Sequence, residues 1–222
     1  MVRVNERGDF IFGFGRDFPA KANLFWIPAN AEKRAVVLHI KARNYKTQRI
    51  DGLPPKMVTP PSLSMGRIQR ENQDIARVRL IDSSASWYIS GFILPVEGLI
   101  SGVYGSQRIL NGKPRRPHYG LDIVNKIGTS IIASTDGRVA LAEDDLYYTG
   151  GTIMLDHGHG LTSVYSHLKA LIVSVGQFVR QGEQIGSLGG TGRATGPHLD
   201  WRLNWFNQRL DPSLLLGPIP KH

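Results

Sequence analysis

Three clusters in the second half of the chain hold the residue types that can do chemistry. They are His118 with Asp122, Tyr165 with His167, and His198 with Asp200. Each is ordinary alone. Brought to one place, they offer nitrogen and oxygen ligands for a metal ion and imidazoles to spare, the inventory of a zinc hydrolase. The chain has no cysteine, which excludes both a thiolate site and a disulfide framework. Any metal must be held by His and carboxylate groups.

The elements that position these residues follow from local pattern. Residues 198–205 read His, Leu, Asp, Trp, Arg, Leu, Asn, Trp. Successive side chains of a strand point to opposite faces, so this alternation predicts a strand. His198, Asp200, Arg202 and Asn204 share one face; Leu199, Trp201, Leu203 and Trp205 face a core. Asp200 has two partners within reach, a metal ion or Arg202. Pro117 and Gly120 punctuate the first cluster and Ile123 and Val124 follow it, which predicts a loop entering a strand. His167 closes a β-branched and aromatic run over residues 161–167. His157 and His159 flank a glycine turn, a pattern that tempts a metal assignment.

Further strands are predicted over residues 129–133, 137–142, 151–156 and 171–175, with glycine-rich turns between them. They form an antiparallel all-β unit over residues 98–222 whose loops carry the chemistry. Gly176, Gly182 and Gly186 supply tight turns around Val179 and Ile185, which plug a core. In front lies a small β-sandwich-like domain over residues 1–60, with strands over 9–14 and 34–43. Paired prolines over residues 53–61 predict a stiff extended connector. A helical linker over residues 61–97 follows. Ile68, Ile75 and Val78 put a narrow apolar stripe on an amphipathic helix over 65–81, packed between the two domains, with Ser62 or Ser64 as its cap.

Composition bounds the class. The formal net charge is +9. Residues 1–95 hold 15 Lys and Arg against 8 Asp and Glu, while residues 96–222 hold 12 against 10, so the front segment carries the basic excess. A basic surface suits an anionic polymer such as cell wall. No nucleic-acid-binding motif is present. No apolar run approaches the roughly 18 residues of a membrane span, and the first residues lack a hydrophobic signal core.

Taken in order, His118-x-x-x-Asp122, His157-Gly-x-Gly, Tyr165-x-His167-Leu, the turn from Gly176 to Gly186, and Gly192-x-x-Thr-Gly-Pro-His198 resemble the lysostaphin/LytM-type zinc endopeptidases of bacteria. The resemblance runs from about Ser101 to Pro212. It implies a LytM-type metallopeptidase fold, a mainly β architecture, and cleavage of peptide bonds in peptidoglycan stems or cross-links. It further implies Zn2+ held by His118, Asp122 and Asp200, and His167 and His198 as catalytic histidines. The setting implied is the periplasm or cell envelope, with any export signal outside this chain. The departure is at the end. The family pattern closes on His-x-His, often followed by an aromatic residue and Glu; here it is His198-Leu-Asp200-Trp-Arg202. Some relatives have lost the metal and activate other wall hydrolases, so a non-catalytic wall-binding factor is the alternative reading.

Overall fold

The structure, a computed structural model, describes residues 1–27, 32–52 and 55–217. Near the N-terminus, β1 (Lys21–Trp26) and β2 (Arg34–His39) pair as an antiparallel ribbon, with Lys21 opposite His39 and Trp26 opposite Arg34. No second sheet covers it among the described residues, and Phe25, Trp26, Val36 and Val37 stay exposed. The next strand, β3 (Thr47–Ile50), leaves this ribbon. It runs parallel to β5 (Gln107–Leu110), which pairs with β6 (Lys113–Pro114). The expected sandwich over residues 1–60 is therefore a two-stranded ribbon plus one strand completed by the later part of the chain. A parallel pair needs a long crossover, and the intervening helices supply it.

The proline-rich stretch also differs from expectation. Residues 53 and 54 lie outside the described residues, and α1 (Pro55–Val58) is a single helical turn, not an extended connector. Proline suits a first helical position because its φ is already set and no N–H is lost. The segment over residues 9–14 makes only an isolated bridge between Val4 and Phe10. Its aromatic side chains do the packing instead. Phe12 lies 5.5 Å from Phe14 and 6.4 Å from Trp205 between ring centroids.

The long helix α2 (Met65–Arg79) matches its predicted stripe. Ile68 and Val78 are buried. Ser64 occupies the N-cap position without a side-chain capping bond. Rather than separating two domains, α2 lies on a sheet: Ile75 and Val78 pack against Leu141, Leu146, Met154 and Val164. Among the described residues, no helix is long and apolar enough to cross a membrane.

That sheet is antiparallel throughout. It contains β4 (Leu99–Gly102), β7 (Leu121–Val124), β8 (Ser130–Ile132), β9 (Gly137–Leu146), β10 (Gly150–Gly158), β11 (Leu161–Leu171), β12 (Phe178–Val179), β13 (Gln184–Leu188), β14 (His198–Trp205) and β15 (Gln208–Leu210). The order along its main path is β12-β9-β10-β11-β14-β7-β4. The expected strand over 171–175 is instead the end of β11 and a turn. Gly176 takes φ +89°, and Ile172 and Val175 are exposed. The main core lies on the face away from α2, where Ile153, Leu155, Tyr165, Leu199, Trp201 and Leu203 join Val179 and Ile185. Trp205, expected in that core, turns out to Phe12 and donates its indole N–H to the His159 carbonyl at 3.2 Å.

Candidate metal centre and cleft

Two neighbouring strands bring the first and third clusters together. β7 and β14 run antiparallel, and their register sets Asp122 directly opposite Asp200 and Val124 opposite His198. On the other side of β14, Ser166 of β11 stands opposite Asp200. His118 sits in the loop before β7 and folds back so that Nε2 lies 3.0 Å from Asp122 Oδ1. One ligand atom each from His118, Asp122 and Asp200 lie within 4.8 Å of one another, and all three residues are buried.

Two glycines make this possible. A Cβ on Gly120 would overlap Asp200 Oδ1 and the Trp201 carbonyl, and a Cβ on Gly102 would overlap Asp122 Oδ2. The glycine between His118 and Asp122 therefore has a stated cause: the second carboxylate occupies the space of a side chain.

His167 reaches the group by a bulge. Gly151 pairs with Leu168 and Ile153 with Tyr165, so Ser166 and His167 together oppose a single residue. His167 takes φ +66°, an uncommon backbone for a non-glycine residue, and its N–H bonds the Thr149 carbonyl at 2.7 Å. A bulge of this kind re-aims one side chain. The ring lies 4.7 Å from that of His198 between centroids.

The two rings have fixed tautomers. His167 Nδ1 is 2.8 Å from the Thr191 carbonyl, and His198 Nδ1 is 2.8 Å from the Gly196 carbonyl. A carbonyl oxygen only accepts, so each Nδ1 carries the proton and each neutral ring leaves Nε2 as an acceptor. His198 Nε2 lies 3.9 Å from Asp122 Oδ1. Burial, more than any neighbour, lowers the His167 pKa to about 4, so the ring is neutral near pH 7.

Both carboxylates are ionised. Burial and the opposed Asp200 push the Asp122 pKa up, but His118 and Arg108 outweigh them and hold it below the ordinary range. Burial likewise opposes ionisation of Asp200, and Arg202, aided by His118, more than reverses it. Arg202 grips Asp200 with both arms of its fork: Nε donates to Oδ1 at 2.9 Å, and Nη2 donates to Oδ2. Arg108 Nη2 donates to Asp122 Oδ2 at 2.6 Å. Of the two partners its sequence context offered, Asp200 is paired with Arg202, and it also stands within 4.8 Å of His118 and Asp122.

The donor set fits a zinc ion. His118 Nδ1 is buried without a hydrogen-bond partner among the described residues, and His118 Nε2 and Asp122 Oδ1 have none beyond their own 3.0 Å contact. Buried polar atoms are rarely left so, and atoms that converge this closely are matched by a cation.

The group lies at the base of a cleft of about 980 Å³, walled on one side by α2 through Ile68, Ile75 and Arg79. Tyr119 and Tyr148 line it, while Tyr147 stands edge-on to Tyr148 at 5.0 Å. His157 lies elsewhere, fully buried, with Nδ1 donating to the Asp136 carbonyl at 2.7 Å and Nε2 meeting Ser163 Oγ at 2.7 Å. His159 is held by the Tyr88 hydroxyl at 3.2 Å. Both are structural. The residues that sequence reasoning missed are Arg108 and Thr191. Arg108 is remote from every motif, and Thr191 acts through its main-chain carbonyl, which no side-chain pattern reveals.

Residues 116–212 match the model of peptidase family M23. This stretch is an M23 peptidase domain. The chain is 40% identical over 87 residues to the peptidoglycan DD-endopeptidase ShyA of Vibrio cholerae, covering 39% of this chain and 20% of that protein. It is 37% identical over 106 residues to the DD-carboxypeptidase/endopeptidase Mpg of Neisseria meningitidis, covering 48% and 24%. The matches thus span only a fifth to a quarter of these relatives' lengths. A solved Pseudomonas aeruginosa chain assigned to peptidase M23 superposes with TM-score 0.73 at 26% identity, covering 98% of this chain and 83% of that one. A zinc-containing peptidase from Vibrio cholerae superposes with TM-score 0.52 at 29% identity, covering 59% and 41%.

Proposed function

We propose that this chain is a zinc-dependent endopeptidase that cleaves peptide bonds in bacterial peptidoglycan, in the periplasm or cell envelope. The observation that carries the reading is the convergence of His118, Asp122 and Asp200, with His118 Nδ1 buried without a partner, beneath two imidazoles of fixed tautomer. His118, Asp122 and Asp200 would hold the ion. Zinc, when bound, polarises a carbonyl and makes water a better nucleophile near neutral pH.

The remaining chemistry belongs to the chain. His167 is neutral and its Nε2 can take a proton; Nδ1 stays fixed on Thr191, so the ring keeps its aim while it does so. His198, anchored in the same way on Gly196, is the second proton carrier; with a proton on Nε2 it can hold a developing negative charge at the scissile carbonyl. Arg108 and Arg202 orient the two carboxylates from behind, as outer partners of ligands do. The front segment, with its surplus of Lys and Arg, is the part that attracts anionic wall polymer.

The test is release of soluble fragments from purified cross-linked peptidoglycan, its arrest by a chelator, and zinc measured by elemental analysis. A second reading is favoured by one observation: Arg108 and Arg202 already balance both carboxylates. On that reading the chain binds wall and stimulates a separate hydrolase. Failure to cleave any wall preparation, with stimulation of a wall amidase, would select it.

A further inference from the structure

Seven arginines and three acidic residues line the cleft above His118, Asp122 and Asp200. All three acids are engaged within the protein. Asp122 is paired with Arg108 and Asp200 with Arg202. Glu71 accepts from Arg67 at 2.5 Å and from the Tyr147 N–H at 2.8 Å. The cleft therefore keeps a large positive surplus after its internal pairs are counted.

Several of these guanidinium groups sit where water reaches them poorly. Nε of Arg79, Arg108 and Arg115 is buried without an acceptor among the described residues. Arg115 spends Nη2 on the Val58 carbonyl at 2.7 Å, a neutral partner that leaves its charge unbalanced. Arg193 is stacked on Tyr148, 4.4 Å from the ring centroid. The like charges disturb one another: after burial, Arg202 is what lowers the Arg79 pKa, and Arg108, Arg202 and Arg115 all act against Arg193. A buried donor without an acceptor is destabilising, and close like charges add to that. Such an arrangement is relieved by an anion.

The geometry points to carboxylate recognition by Arg79 and by Arg115, which line the same cleft as the metal centre, so that the cleft selects peptides carrying free carboxylates. This rests on the endopeptidase reading, because the peptide is what brings the carboxylate into the cleft. A planar guanidinium fork matches a carboxylate with two parallel hydrogen bonds. Ile68, Ile75 and Leu110 line the same cleft, so aliphatic side chains find contact between the charged points. That mixture suits a short acidic peptide with small apolar residues better than a uniformly charged polyanion.

The experiment uses the full chain in chelator, so that binding is read without turnover. The probe is a fluorescent short peptide with one Glu side chain and a free C-terminus, compared with the same peptide amidated at both positions. Amidation is expected to weaken binding at least about tenfold in the wild type. That gap should shrink to threefold or less in Arg79→Gln or Arg115→Gln. Arg79→Lys, which keeps the charge but loses the fork, should fall between. Equal affinity for the two peptides in the wild type overturns the inference, whatever the variants do. So does a dodecamer of thymidylate that displaces the acidic peptide at a lower concentration than the unlabelled peptide itself. Discrimination between peptides with no cleavage of any wall preparation would sink the endopeptidase reading and leave the carboxylate site standing. Wall cleavage without discrimination would do the reverse.

Discussion

Asp122 and Asp200 are directly opposed partners on adjacent antiparallel strands, both buried, with ligand atoms close enough to share one ion. Like charges in opposed positions repel, and burial strengthens the repulsion. Arg108 and Arg202 offset it from behind, and a cation would offset it from the front. Removing one member should expose the balance. Asp200→Asn strips Arg202 of its counter-charge and is expected to destabilise the fold by about 2 kcal/mol, less than for a fully buried pair because Arg202 is partly exposed. Urea unfolding of the two proteins measures this.

As a proposed ligand, the same residue should also set metal preference. A carboxylate in the third position makes manganese more acceptable than an imidazole would. After dialysis against equal zinc and manganese, the wild type should retain a larger manganese fraction than Asp200→His. Equal fractions by elemental analysis would remove Asp200 from the ligand set.

The proposed division of roles separates four substitutions. His167→Ala and His198→Ala should lose about a hundredfold or more in peptidoglycan cleavage while keeping bound zinc. His118→Ala and Asp122→Ala should lose both. Zinc lost from all four would show that the histidines do not divide as assigned.

Acid sensitivity follows from His157, which is buried away from the cleft. Burial lowers its pKa to about 4 in the folded chain, against about 6.5 when unfolded. Between those values the unfolded chain binds the extra proton, so stability rises with pH. His157 therefore disfavours folding progressively as pH falls from about 6.5 to 4, by up to roughly 3 kcal/mol. Urea midpoints across this window should drop for the wild type and drop less for His157→Gln.

Gly120 is the tightest test of the loop before β7. Gly120→Ala puts a methyl group against the Asp200 carboxylate and the Trp201 carbonyl. A loss of about 1–3 kcal/mol is expected from overpacking. Zinc retention should fall with it if the displaced Asp200 atom is the ligand proposed above. Calorimetry and elemental analysis read the two effects separately.

Wall attachment through the basic front segment should weaken with salt, since exposed charges are screened over about 10 Å at 0.1 M. Pelleting of the full chain with insoluble peptidoglycan, from 50 to 500 mM salt, tests this. Salt-insensitive binding would move attachment away from those charges.

Much of the site was legible because its geometry is local. Alternation over residues 198–205 put Asp200 and Arg202 on one face, and Pro117 with Gly120 marked the loop that carries His118. The stripe of Ile68, Ile75 and Val78 likewise foretold α2. What the pattern did not carry was long-range. The bulge that turns His167 into the cleft depends on a count against β10, not on its own neighbours. The pairing of β3 with β5 joins residues sixty positions apart, and no property of either strand names the other. The front ribbon was read as a sandwich because strand propensity says nothing about how many strands will stack. Arg108 was missed for the same reason: its partner Asp122 is reached through the fold.

α2 lies outside the stretch that matches the family, yet it forms one wall of the cleft. The reacting groups and the shape that admits a substrate are therefore encoded in separate segments of the chain. Selection can remodel that helix without disturbing a single ligand, and chains with identical metal centres can diverge in diet. An isolated segment of residues 116–212 would keep the five site residues and lose that wall, so its appetite would not report that of the whole.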